Sequence, residues 1–333
     1  MKTRPSIADV ARLAGVGAGT VSRVLNRHPS VRPQTRQRVE AAMQEISYVP
    51  NLKGRGLRTG RTGSVSLLLP NIGTEFYERL LAGLEKVFDP AGLDLALFPV
   101  LSAARLARYN EPIALPFQSD GLLLASLDPA ALFRRGFPVE LPAVLVDAYA
   151  DGFDSVYVDN LGAAELAVAH LLSGPGEFYS VFVTGDARGE SPFRSPAFAD
   201  REAGVDRALA AARRQDRGRI RVPFSTEGGR AAAREILARC GDGPASVFAA
   251  CDELAIGLVQ EFKDCDFEIG RQVRVVGFDD ARRAAEYSLT TIRQPVEELG
   301  ELAARLLLDR INGTAPHPRH VKLPAEVIRR ASG

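Results

Sequence analysis

The sequence predicts an all-α helix-turn-helix head joined to an α/β body of two doubly wound parallel-sheet lobes. Three observations predict it. The first 61 residues hold two lysines and ten arginines against three carboxylates, a net +9, whereas the whole chain is +1 and the remaining 272 residues are therefore −8. Within that basic head, apolar residues recur at helical spacing between glycine and proline breaks. From residue 64 onward, short aliphatic runs alternate with helical segments in two successive sets.

Composition limits the alternatives. A chain of 333 residues, 46% hydrophobic and 25% charged, has the size of two or three globular domains with real cores. No apolar run approaches the ~20 residues that span a bilayer, so no membrane partner is expected. Met1-Lys2-Thr3-Arg4-Pro5 is followed by no apolar stretch, so no signal peptide is expected. Cys240, Cys251 and Cys265 have no Cys-x-x-Cys spacing, which points to a reducing cytoplasm. Histidines stand only at 28, 170, 317 and 320, so a His-rich metal centre is not expected; no cofactor is expected.

The head reads as three short helices. Ser6 and Asp9 form a Ser-x-x-Asp capping box, and Ile7, Val10, Ala11 and Ala14 follow at helical spacing until Gly15 stops the run. Val16, Thr20, Val21, Val24 and Leu25 pattern a second helix that ends at Asn26. A third begins at Arg32-Pro33 and carries Val39, Ala42, Met43 and Ile46. Two short helices across a glycine turn define a helix-turn-helix. Gly15-Val16-Gly17-Ala18-Gly19-Thr20 mimics a nucleotide loop, but it follows a helix rather than a strand, and no Lys-Ser/Thr pair closes it.

In the body, strands are expected at 64–70, 93–100, 120–126, 143–148, 179–185, 219–224, 245–251 and 273–280. Helices are expected at Glu75–Phe88, Leu161–Leu172, Asp200–Ala212, Gly228–Arg239 and from Asp252. Asp159 reads as a cap or turn residue, and Asp252 as the cap of the helix it opens. Open parallel sheets bind ligands beyond the carboxyl ends of their strands, and with two lobes those ends face a shared cleft.

The segment SIADVARLAGVGAGTVSRVLNRHPSVRPQTRQRVEAAMQEISYVPN resembles the DNA-binding head of the lactose-repressor (LacI/GalR) family of bacterial regulators. The resemblance continues through GRGLRTGRTGSVSLLLP and resumes at PNIGTEFYERLLAGLEK, VDN, REAGVDRAL, CDELAIG, VVGFDD and LTTIRQPVEELGELAARLL. It implies lobes of periplasmic-binding-protein type. It also implies a repressor that meets a palindromic double-stranded DNA operator as a homodimer, under a small-molecule effector, a sugar or sugar derivative. The domains it implies are a DNA-binding head at 1–50, a hinge at 51–63 and a two-lobe effector and dimerisation domain at 64–333. Lobe 1 takes 64–160 and 293–322; lobe 2 takes 161–292 and 323–333.

The resemblance assigns Ala18, Gly19 and Arg23 to base edges. Arg23 is the long donor suited to a guanine, and Ala18 offers a methyl to thymine. Thr20, Ser22 and Asn26 go to phosphate or the turn. Ser6, Arg32, Tyr48, Asn51 and Arg55 complete the DNA-binding set, and Leu57 becomes a minor-groove wedge. Phe76, Tyr77 and Phe224 are implied as apolar surfaces for an effector ring, with Asp147, Arg201 and Asp279 as its polar contacts.

The chain departs from the family pattern at several positions. Gly17 replaces a capping Ser, and Gly54 and Gly56 replace small helix formers in the hinge. Thr74-Glu75 stands where Asn-Pro is usual, Ala148 where Arg is frequent, and Cys251 where a polar residue is common. An insert before Arg201 adds Arg188 and Arg194, which leaves an anionic sugar or phosphate open. Two other classes share this two-lobe architecture: a sugar-binding transport component and a sugar-modifying enzyme. The basic head opposes the first, and no Ser/His/Asp series, metal spacing or P-loop supports the second.

Overall fold

The computed structural model describes residues 5–25, 28–48, 61–70, 72–100, 102, 104–105, 119–133, 141–184, 195–241 and 243–333. The expected hinge at 51–63 therefore lies almost entirely outside the described residues. The chain divides into two compact units, Met1–Thr62 and Gly63–Gly333.

Among the described residues, the first unit is a three-helix head. α1 (Ile7–Ala14) starts from the expected capping box: Ser6 accepts from the Asp9 amide, and the Asp9 carboxylate accepts from the Ser6 amide at 2.9 Å. It stops at Gly15, whose φ of 62° is a left-handed cap. α2 (Ala18–Leu25) follows, its first turn held by the Gly17 carbonyl. α3 (Pro33–Glu45) opens with proline at its first position. Val10, Ala14, Val21, Val24, Val39 and Ala42 close the core between them.

Among the described residues, the second unit holds two six-stranded sheets with matching strand order. Its first elements are β1 (Ser64–Leu69), α4 (Glu75–Phe88), β2 (Asp94–Pro99), β3 (Gly121–Ala125), α5 (Pro129–Leu132), β4 (Ala143–Val146) and β5 (Asp154–Val158). Then come α6 (Asn160–Leu172), β6 (Glu177–Val183), α7 (Pro196–Ala211), β7 (Asp216–Val222), α8 (Thr226–Cys240), β8 (Ala245–Ala249) and α9 (Asp252–Asp264). The chain ends with β9 (Val273–Asp279), α10 (Arg282–Glu286), β10 (Thr290–Arg293), α11 (Val296–Ile311), β11 (His320–Leu323) and β12 (Glu326–Ile328).

The first sheet runs β11-β5-β4-β3-β1-β2 with every pair parallel. The second runs β12-β10-β9-β8-β6-β7, parallel except for β10 with β12. Strand residues alternate between two cores, as the period of two requires. Leu67 and Leu69 pack under α4 and α11, while Leu68 faces the opposite cluster with Leu122 and Leu124. In the second sheet Val247 and Val275 pack with α9 residues, while Phe248 and Val276 pack with α6 residues. Helices α4 and α11 cross at glycines: a Cβ on Gly83 would run into the Glu297 carbonyl oxygen. The chain passes between the lobes three times, at Asp159, at Gln294–Pro295 and at Pro324–Ala325.

Several elements differ from the sequence expectation. β5 was not expected, because Asp154, Ser155 and Tyr157 interrupt its apolar pattern. Asp154 and Ser155 are nevertheless buried, and Arg310 and Arg319 neutralise Asp154. α7 starts at Pro196 rather than Asp200, since proline suits a first helical position. β7 runs from Asp216 to Val222, ending before Pro223, which cannot donate to a ladder.

Candidate functional site

In the head, Ala18, Gly19 and Arg23 are exposed on one face of α2, while Val21 and Val24 point into the core. Thr20 is half-buried, and Ser6 and Arg32 are exposed. Ser22 is only 9% exposed, and Tyr48 packs on the head core. Asn26, Asn51, Arg55 and Leu57 lie outside the described residues. The head's charge is not uniformly available. Arg38 donates to the carbonyls of Ala14 at 2.5 Å and Gly15 at 3.4 Å, closing the C-terminus of α1. Its position in a basic run hides this task from sequence reading.

In the body, the six expected effector residues converge. Phe76, Tyr77, Asp147, Arg201, Phe224 and Asp279 come from widely separated segments, and all line one cleft of about 910 Å³. Asp147 and Asp279 stand at the carboxyl ends of β4 and β9. There the backbone bends into the left-handed region: φ is 53° at Asp147, 124° at Asp279 and 53° at Ser126, which follows β3. Such non-glycine conformations are uncommon and collect at binding sites.

Arg201 organises the polar floor. It is 4% exposed, with Nε donating to Asn160 Oδ1 at 2.9 Å and Nη1 to the Ala250 carbonyl at 2.6 Å. Nη1 also lies 3.5 Å from Asp279 Oδ1, and the guanidinium stacks 3.6 Å over the Phe278 ring. Asp279 Oδ1 accepts from Gln294 Nε2 at 2.7 Å. Burial pushes the Asp279 pKa up to about 6 against the pull of Arg201. Burial likewise raises Asp147, whose Oδ2 accepts from Ser126 Oγ at 2.7 Å.

Tyr77 is buried against Phe76, their ring centroids 5.2 Å apart and edge-on. Phe76 and Phe224 each keep one side on a lobe core.

Asp252 is not the cap of α9. Cys251 holds that position, and Asp252 accepts instead from the Ala281 amide at 2.8 Å and from Thr291 Oγ1 at 2.5 Å, bracing the turn after β9. Asp159 is a cap, accepting from the Gly162 amide at 3.2 Å. Cys251 is fully buried in the lobe core and burial raises its thiol, so it is packing rather than a reactive group. Arg188 and Arg194 lie outside the described residues.

Sequence reasoning missed Ser126, Phe182, Thr184, Phe198 and Arg221, which also line the cleft. Ser126 and Thr184 directly follow β3 and β6, and Phe182 lies near the end of β6, so the strand-end rule could have found them. Among the described residues, five arginines line the cleft and each faces a carboxylate: Arg79 with Glu297, Arg201 with Asp279, Arg221 with Glu202, Arg282 with Glu75 and Glu78, and Arg283 with Glu253.

A two-lobed body with one polar, aromatic-walled cleft, carried by a chain with a helix-turn-helix head, defines a ligand-responsive DNA-binding protein. Comparison with known proteins agrees. Residues 6–51 match the family described as bacterial regulatory proteins, lacI family, and residues 181–333 match the periplasmic binding protein-like domain. The HTH-type transcriptional regulator CelR of Thermobifida fusca is 32% identical over 100% of this chain and 99% of its own length. A probable transcription regulator from Thermus thermophilus is 42% identical, covering 80% of this chain and 97% of its own, with a TM-score of 0.68. The structure of a CelR–cellobiose complex is 30% identical, covering 99% of this chain and 100% of its own, with a TM-score of 0.69. The chain belongs to the lacI family of bacterial regulatory proteins.

Proposed function

We propose that this protein is a cytoplasmic transcription repressor that binds a palindromic operator as a homodimer and is controlled by a sugar or sugar derivative in the interlobe cleft. It acts by binding, without turnover. One observation carries the reading: six residues from widely separated segments meet in a single cleft of about 910 Å³ in a chain that also presents Arg23 on an exposed helix face. That volume lies in the upper range of small-molecule sites.

The cleft chemistry favours a neutral polyhydroxyl ligand. Asp147 and Asp279 offer carboxylate oxygens to hydroxyl donors, and Phe76 and Phe224 offer apolar faces. Among the described residues, each guanidinium that lines the cleft already faces a carboxylate, so an added phosphate would compete with ion pairs.

In the head, Arg23 takes a guanine edge, Ala18 and Gly19 allow close approach, and Thr20, Ser22, Arg32 and Ser6 serve phosphate or the turn. Asn26, Tyr48, Asn51 and Arg55 extend the contact, and Leu57 wedges the minor groove. Effector binding acts through its different affinity for open and closed lobes.

The test is a thermal-shift screen of sugars, sugar phosphates and nucleobases, beginning with cellobiose, followed by operator titration with each hit. The expected result is stabilisation by a neutral sugar that also changes operator affinity. Turnover of a bound sugar, or sugar binding by a protein that shifts no palindromic DNA, contradicts the reading.

A further inference from the structure

Two acidic side chains of one lobe hold an arginine of the other. Glu75 and Glu78 lie in the first turn of α4, beside the first sheet, and Arg282 opens α10, between β9 and β10 of the second. The Arg282 backbone N–H donates to Glu75 Oε2 at 2.9 Å. Its Nη2 donates to Glu78 Oε2 at 2.9 Å, and its Nε lies 3.5 Å from Glu75 Oε2. The start of α10 is thus shared between lobes. The Ala281 amide is satisfied within its own lobe by Asp252, and the next amide by Glu75 from the opposite lobe.

Neighbouring charges do not duplicate this link. Arg283 pairs with Glu253 of its own lobe, and Arg79 binds Glu297 Oε1 and Oε2 at 2.8 Å each, within the first lobe.

We propose that Glu75 and Glu78 clasp Arg282 as an effector-independent latch that biases the two lobes toward the closed cleft. They are positioning residues for effector binding: they set how much protein is closed before ligand arrives, and apparent affinity scales with that fraction. Arg282 is 76% exposed and Glu78 64%, so the latch is moderate and screened by salt. A two- to fivefold bias in the closed-to-open ratio is the scale such a pair supports. The proposal requires lobe motion, but neither the identity of the effector nor DNA binding.

The experiment uses the ligand-free full chain. Spin labels at Asp89→Cys and Arg271→Cys, one exposed position per lobe, are introduced with Cys240→Ser and Cys265→Ser, and labelled chain is diluted with excess unlabelled chain. Interlobe distance distributions are compared for the parent, Glu75→Ala, Arg282→Gln and the double variant, at low salt and at 1 M NaCl. The expected result is a two- to fivefold shift between populations in each single variant, with the double variant shifting less than the two singles combined. High salt moves the parent the same way and leaves the double variant unchanged. Identical distributions in all four proteins, single effects that simply add, or a double variant as salt-sensitive as its parent overturns the latch.

Discussion

Gln294 donates its side-chain amide to Asp279 Oδ1 at 2.7 Å from within one of the three crossovers between lobes. Gln294 is fully buried, and its backbone carbonyl accepts from Arg79 Nη2 of α4 at 3.4 Å. A cleft carboxylate, an interlobe crossover and a helix of the first lobe are therefore joined through one residue. Gln294→Leu removes a donor that favours ionised Asp279, so the Asp279 pKa rises further above about 6. Calorimetric titration with the sugar found by screening is expected to show weaker binding at pH 7 and loss of affinity beginning at higher pH than in the parent.

Asp279 itself makes stability depend on pH. Its folded pKa of about 6 lies above that of an ordinary aspartate, near 3.9, so the neutral form favours the fold. That contribution is complete below about pH 4 and is lost as pH rises through about 6. Asp279→Asn holds the neutral form throughout. Since the side chain is 26% exposed, the gain at pH 8 is discounted to about 1 kcal/mol, or about 2–4 °C in Tm, and vanishes near pH 4. Thermal melts of both proteins across that range check the sign. The same variant is expected to lose affinity for a hydroxyl-donating ligand at pH 8, because the carboxylate is the acceptor.

Arg201→Ala removes the buried guanidinium between Asn160, the Ala250 carbonyl and Asp279. Leaving the Asn160 and Ala250 oxygens without their buried donor costs about 1–3 kcal/mol each. Urea unfolding is expected to show that loss, with Arg201→Lys intermediate because it keeps the charge but loses the stack on Phe278.

In the head, Arg38→Ala opens the C-terminus of α1, where Nη2 now serves two carbonyls. About 1–2 kcal/mol of head stability is expected to go. Amide exchange in residues 5–48 reads it, and the body is expected to keep its protection.

Much of this was legible in sequence because the signals were local or periodic. The Ser6–Asp9 capping box, the Gly15 stop and the apolar periods of β1, β3 and β8 each gave their element directly. The strand-end rule, with the family resemblance, draws Asp147 and Asp279 toward one cleft. What stayed hidden depends on long-range pairing. β5 is polar by pattern and becomes a strand because Arg310 and Arg319 neutralise Asp154 from distant segments. Asp252 looked like a cap, but its partners, Ala281 and Thr291, are 29 and 39 residues away. Gln294 lies in a segment that resembles the family, but its role exists only once β9 and the crossover are adjacent.

The proposed reading of an operator by the exposed face of α2, as one half of a symmetric pair, is open to DNA selection. The full-length protein and Arg23→Ala are each used to enrich sequences from a random duplex library at moderate salt, and each is then titrated against the parent's enriched site. The expected product is a palindrome with a guanine in each half-site. Arg23→Ala is expected to lose about 1–3 kcal/mol per half-site on that sequence and to retain non-specific binding, with the Tm unchanged because Arg23 is exposed. Enrichment of no palindrome, or the same site bound equally well without Arg23, would contradict it.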